Sequence, residues 1–430
     1  MTRFIAAILC FLVSTMVVDS VTLSTKVKGG YWPTGSKIVP ASSINATLFT
    51  HLFYAFARIE NTTSLLIPDP EDNGEIEKFS RVVKYINPSV KTLISISANG
   101  PEFQQVMGTP ESRQAFINSS INLARSNGFD GLDLDYEFPQ SQGEMDNFSS
   151  FLTEWREAVD GLPNFTPLLL TAAVYYKPVL KWVGEGAYPI ESIAKNLDFV
   201  NVMCYDFHGS WDVTATGANA NLYDPDSDLS ADYGISSWLK AGLPSEKAVL
   251  GLTLYGRSWL LKNQSEAAGL NATAVAAGPA QPISQSEGVF FYREVKTFIE
   301  EKNATVVHDW NLVTGYAYAE NVWVSYEDPI IIDTKVKYAM TKSLRGYFFW
   351  AITQDSDWEV SSAASRTMDL VSSSLAPAEA PAPLPTSSAI RTPVSTVYIV
   401  VIMLAAMCAM IVFPYTGSSL SQVQKVGRFQ

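Results

Sequence analysis

The chain is expected to fold as a closed α/β barrel, a (β/α)8 or TIM-type barrel with a small α+β insertion between strands 7 and 8. Three features predict this: eight short apolar runs, amphipathic stretches alternating with them, and one gap too long for a single crossover helix. The runs fall at 28–32, 51–57, 91–97, 131–135, 168–173, 199–205, 248–254 and 346–351. Short runs bounded by turn residues read as strands. Helix-like segments such as 112–126 and 147–159 lie between most of them. Alternation of this kind signals a parallel sheet, and eight rounds of it suggest closure. The gap, about 255–345, holds strand-like pieces at 288–291, 305–309, 315–318 and 323–326 and a helix candidate at 292–301. No short-period internal repeat is present.

The barrel is assigned to 26–372 of the 430 residues. With 47% hydrophobic and 17% charged residues, the chain can bury a large core. Its net charge of −13 repels phosphate backbones, which argues against a nucleic-acid partner. It is uninformative about neutral substrates.

Both ends have their own character. Residues 1–20 read as a signal peptide: Arg3, an apolar run, then small residues near Ser20. The alternative, a membrane anchor, needs a longer run than about 15 residues. Residues 373–393 form a Pro/Ala/Ser-rich, extended linker. Residues 394–413 are apolar and uncharged, long enough for a transmembrane helix. The tail, 414–430, carries Lys425 and Arg428, which places it on the cytoplasmic side. The expectation is a plasma-membrane protein with an extracellular barrel. A lipid anchor or release to the cell wall is the rival reading. Glycosylation sequons at Asn45, Asn61, Asn118, Asn147, Asn164, Asn263, Asn271 and Asn303 agree with a secretory route. Only Cys204 falls within the barrel, so no internal disulfide forms there; its apolar setting reads as a buried structural thiol.

The stretch richest in chemistry is Phe129-Asp130-Gly131-Leu132-Asp133-Leu134-Asp135-Tyr136-Glu137-Phe138-Pro139. Side chains alternate on a strand, so Asp133, Asp135 and Glu137 share one face and the leucines the other. In a barrel strand the acids point inward, about 6.6–7 Å apart per pair. Buried like charges cannot all ionise, so at least one proton is retained. Glu137 comes last, at the rim where barrel active sites lie. A carboxyl with a raised pKa suits a general acid. A calcium loop is the alternative, but leucines fill the gaps and no turn glycine follows. His51, His208 and His308 show no paired zinc spacing, so no metal and no cofactor is expected. Neither a Gly-X-Ser-X-Gly elbow nor a phosphate loop occurs.

Asp130, Asp133, Asp135 and Glu137 resemble the Asp-X-X-Asp-X-Asp-X-Glu signature of glycoside hydrolase family 18, in its plant class V chitinase form. HLFYAFA, LTAAVYY, NVMCYDFHG, GLTLYGRSW and RGYFFW resemble the family's second, fifth, sixth, seventh and eighth strands. The resemblance implies hydrolysis of β-1,4 bonds in chitin or N-acetylglucosamine oligomers by a substrate-assisted, retaining mechanism. It implies Glu137 as general acid and base, and Asp135 holding the acetamido N–H. Asp133 would share a proton with Asp135, and Tyr205 would bond the acetamido oxygen, helped by Asp206. Trp350 would floor the subsite of the distorted sugar. Met203, Tyr31, Phe56, Tyr255 and Arg257 match substrate-binding positions; Asp130 and Ser95 match structural supports. Two departures stand out. The third strand ends Ser95-Ile96-Ser97-Ala98 where the family usually has Ser-X-Gly-Gly, and Tyr136 stands where plant relatives often carry Trp. A lectin-like or receptor ectodomain that grips chitin oligomers without cutting them is the alternative function, and a structural cell-wall or adhesion role a third.

Overall fold

A computed structural model describes residues 26–375 apart from 61, 164, 182–185 and 264–267. The expected signal peptide, nearly all of the linker, the apolar run at 394–413, the tail, Asn61 and Asn164 lie outside the described residues. Among the described residues no helix is long and apolar enough to cross a membrane.

Eight parallel strands close on themselves: β1 Val27–Pro33, β2 His51–Ile59, β3 Lys91–Asn99, β4 Gly131–Glu137, β5 Leu169–Tyr175, β6 Phe199–Met203, β7 Ala248–Thr253 and β8 Gly346–Trp350. Each pairs with its sequence neighbour, and β1 pairs with both β2 and β8 to complete the ring. The seam is tight at Gly346, where an added Cβ would sit 1.9 Å from the Val27 carbonyl oxygen. Only glycine permits that approach. A short strand, Leu66–Pro68, runs antiparallel to the end of β2.

Among the described residues nine helices follow in chain order: α1 Ile76–Ile86, α2 Gly100–Met107, α3 Pro110–Ser126, α4 Gln142–Asp160, α5 Ile190–Asn196, α6 Ala231–Lys240, α7 Tyr292–Lys302, α8 Pro329–Thr341 and α9 Glu359–Leu375. Their starts are written locally. Thr109, Ser141, Ser230 and Asp328 cap α3, α4, α6 and α8 through side-chain oxygens, and proline opens α3 and α8. On α3, Phe116, Ile117, Ile121 and Ala124 are buried, a helical stripe turned to the barrel.

The apolar core lies mainly between strands and helices. Leu132, Leu134 and Tyr136 of β4 belong to it, with Trp155, Phe151 and Phe116. A second, smaller core fills the barrel and includes Tyr31, Phe53, Phe199 and Phe348. The odd residues of β4 therefore face inward, as their alternation with leucine required.

The insertion is an antiparallel sheet in the order Ala274–Ala277, Tyr255–Leu261, Val322–Tyr326, Thr314–Ala319, Thr305–Asp309, with α7 against it. Its sheet ends at Tyr326. The rest of the 255–345 span is α8, the crossover helix that returns the chain to β8. Glu327 locks this junction. It pairs with buried Lys335 on α8 and accepts from the Thr253 backbone N–H (2.9 Å) and hydroxyl (3.1 Å) at the end of β7.

Candidate active site at the C-terminal rim

Parallel register decides what surrounds each acid. Asp133 lies level with Ser95 on β3 and Thr171 on β5. Both donate to it: Ser95 Oγ to Oδ2 at 2.8 Å and Thr171 Oγ1 to Oδ1 at 2.5 Å. Tyr31 Oη donates to Oδ2 at 2.8 Å and itself accepts from Asn201 Nδ2 at 2.8 Å. Burial raises the Asp133 pKa, and the three hydroxyl donors oppose that rise. Asp133 is fully buried and forms the floor.

One layer higher, Asp135 lies level with Ser97 and Ala173. Burial lifts its carboxyl well above the usual range, and the charges of Glu137 and Asp133 add to the rise. A hydrogen bond joins the Asp135 and Glu137 carboxyls, while Asp135 Oδ1 is buried without a partner. Asp133 is already supplied by three donors. Glu137 meets solvent at the open mouth. Protein still crowds it enough for burial to be the leading cause of its own raised pKa, opposed by the bond to Asp135 and assisted by the Asp206 charge. Both carboxyls of the pair are thus shifted toward the protonated form.

Asp206 follows β6 with a left-handed backbone, φ 59°, which aspartate tolerates better than most residues. The turn presents Oδ1 to Tyr255 Oη (2.7 Å) and to Arg257 Nε (2.9 Å) and Nη2 (2.7 Å) on the insertion's first strand. These bonds dock the insertion on the barrel rim. No hydrogen bond joins Asp206 to Tyr205. Burial raises the Tyr205 phenol well above its ordinary pKa, so it remains a neutral donor. Trp350 stacks on Phe56 (5.6 Å, 27°) and meets Tyr31 edge-on (5.6 Å).

Tyr31, Phe56, Asp135, Glu137, Met203, Tyr205, Asp206, Tyr255, Arg257 and Trp350 all line one open cleft of about 660 Å3. Ser95 and Asp133 lie beneath it. Asp130 is at the other end of the barrel. It accepts from the Thr92 N–H (2.8 Å) and pairs with Lys84 (2.7 Å) and Lys91 (3.6 Å), a support remote from the cleft. Cys204 is buried, and burial pushes its thiol up to about 12. Of the described sequons, Asn118, Asn147, Asn263, Asn271 and Asn303 are exposed and Asn45 is half-buried.

A family model for glycosyl hydrolases family 18 matches residues 28–355. The chain belongs to that family. A class V chitinase of Medicago truncatula, CHIT5a, is 38% identical over 352 residues, covering 80% of this chain and 90% of its own. A mutant class V chitinase of Nicotiana tobaccum, solved in complex with NAG4, superposes with a TM-score of 0.76 at 39% identity, covering 80% of this chain and 99% of that one. A chitinase-like agglutinin of Robinia pseudoacacia reaches 0.73 at 38% identity, with 80% and 99% covered.

Several residues of this family 18 cleft escaped the sequence reading. Trp211, 60% exposed in the loop after β6, lines it with the Arg257 guanidinium 5.2 Å from its ring. A tryptophan in a polar Gly-Ser loop, outside any apolar period, was the available signal. Ser284, Ser286 and Phe291 of the insertion and Gln354 beyond β8 also line it; nothing in local pattern marks them. Ser97, one of the family departures, faces the cleft level with Asp135.

Proposed function

We propose that the protein hydrolyses β-1,4 bonds in chitin or chitooligosaccharides, with Glu137 as general acid and then base. The observation that carries this is the pair of neighbouring carboxyls, Asp135 and Glu137, both with raised pKa, at the mouth of an open, aromatic-lined cleft. Three carboxylates line the cleft, and Asp206 is engaged by Tyr255 and Arg257. The family resemblance implies attack by the substrate's own acetamido oxygen in place of an enzyme nucleophile. That oxygen bonds to the anomeric carbon as Glu137 gives its proton to the leaving oxygen. Water then enters at the anomeric carbon, loses a proton to Glu137, and reopens the ring with net retention. Asp135 orients the acetamido N–H, Tyr205 donates to its oxygen, and Trp350 offers a ring face to the sugar.

The barrel should release shorter oligomers from chitohexaose, and Glu137→Gln should lower the rate by about 10²–10⁴-fold while binding persists. If wild-type protein binds chitohexaose and leaves it intact from about pH 4 to pH 8, the non-cutting reading replaces this one. Ser97 and the likeness to the Robinia agglutinin favour that second reading. We also propose a plasma-membrane location with the barrel outside, tethered through 394–413. Membrane association that resists carbonate and survives phospholipase separates a span from a lipid anchor.

A further inference from the structure

Tyr136 sits between Asp135 and Glu137 but points the other way, into the helix layer. Its ring packs on Phe103 of α2 (4.7 Å) and Phe148 of α4 (6.4 Å). A phenol there needs an acceptor, and it finds one: the hydroxyl donates to Glu144 Oε2. The same oxygen accepts the backbone N–H of Gln140 at 3.0 Å. The other oxygen, Oε1, accepts from Gln104 Nε2 of α2 at 2.7 Å and from Ser141 Oγ at 3.2 Å.

Glu144 is the third residue of α4, and an acid at that position ordinarily bonds the N–H of the capping residue itself. Ser141 does cap the helix, its Oγ accepting the Glu144 N–H at 3.2 Å. The Glu144 side chain reaches further back. It bonds residue 136 before Glu137 and residue 140 after it, through one oxygen. Glu137 is therefore the apex of a loop closed by a single carboxylate, and Gln104 ties that loop to the helix following β3.

We propose that Glu144 is a positioning residue that fixes Glu137 against Asp135 by clamping residues 136 and 140. This rests on the proposed role of Glu137. None of these hydrogen-bond partners of Glu144 lines the cleft, so it acts through that segment. An opened clamp lets the Glu137 carboxyl swing toward solvent and away from Asp135. Misplacing a reacting group by about 1 Å costs up to about 100-fold in rate.

The test uses the full chain and three variants: Glu144→Ala, Tyr136→Phe and the double variant. On chitohexaose each single variant is expected to lower kcat by about 10–100-fold and leave KM within about threefold. The double variant should be little worse than the worse single one, because both open the same clamp. A second readout needs no turnover: carbon-13 titration of the Glu137 carboxyl should move down toward the ordinary carboxylate value in each variant. A merely structural helix-start acid would lower the unfolding midpoint and leave both kcat well below that midpoint and the titration unchanged; that result overturns the proposal. Should Glu144→Ala fail to fold, Tyr136→Phe, which deletes one oxygen, decides alone. A wild-type chain that cuts nothing overturns the hydrolytic reading, and the carboxyl titration still judges the clamp.

Discussion

Gly251 of β7 offers a perturbation whose size is set by geometry. It is buried and faces the barrel interior. A Cβ added there would lie 2.5 Å from the Val202 carbonyl oxygen, 2.9 Å from Phe348 Cζ and 2.9 Å from Tyr205 Cε1. Carbon–oxygen contacts normally begin at about 3.3 Å, so roughly 0.8 Å must be opened against the backbone of β6. Overpacking of this kind costs about 1–3 kcal/mol, offset by about 0.4–1 kcal/mol from the less flexible unfolded chain. Gly251→Ala should therefore lose about 1–2 kcal/mol, seen as a lower urea midpoint with unchanged slope. The Tyr205 ring is the softer neighbour and gives way first. A shift of about 1 Å in its phenol should lower kcat on chitohexaose by up to about 100-fold. Gly269 is the control: a Cβ there meets nothing within 4 Å, so Gly269→Ala should raise the urea midpoint slightly, by about 0.4–1 kcal/mol of stability, and leave kcat unchanged. If Gly251→Ala matches wild type in urea midpoint and kcat, the close packing of β7 against Tyr205 is refuted.

Three further outcomes are expected. Asp135 has a folded pKa raised above its unfolded value. Its contribution to stability is full below the unfolded pKa and is lost as pH rises through the folded one. Asp135→Asn should thus gain stability over wild type at neutral pH and lose that gain in acid, as urea melts across pH would show, and it should abolish turnover. His51 is pushed down to about 3 by burial. Its stabilisation is present above its ordinary value of about 6.5 and is lost as pH falls from there toward 3, so His51→Asn should flatten the acid limb of the unfolding curve. Trp155 is fully buried between Phe116 and Phe151, and Trp155→Ala should cost about 3–5 kcal/mol without a change in KM.

How far the molecule could be read in advance depended on the range of each interaction. The strands were legible because each apolar run is bounded by its own breakers, and β2, β3 and β4 begin where the runs at 51, 91 and 131 begin. The acid ladder was legible because alternation with leucine is a local pattern. The Glu327–Lys335 junction needs both partners in space, so the insertion and α8 looked continuous. The Asp328-Pro329 pair, a helix-start signal, was the clue that separates them. Thr171 as the third donor to Asp133 follows only from the register of β4 and β5. Trp211, Ser284 and Ser286 reach the cleft from loops whose sequence carries no period, and Gln354 from a single 3-10 turn after β8.

The two cores of the barrel divide its work. Most large apolar side chains lie between strands and helices, where Trp155, Trp238 and Phe79 are wholly buried. That layer supplies most of the hydrophobic stabilisation. The barrel interior is left free to hold what a core would ordinarily reject: Asp133 with no exposure, and Asp135 and Asn201 each with a buried oxygen lacking a partner. Unpaired buried oxygens cost about 1–3 kcal/mol each. They persist here because the outer layer already determines the fold, and in the inner one they lie beneath the carboxyl proposed to move a proton. Stability changes in this protein should therefore track substitutions on the outward residues of β4, such as Leu132 and Leu134, and rate changes those on its inward residues. The residue that breaks this division is Tyr136, which faces the outer layer yet governs the inner one through Glu144.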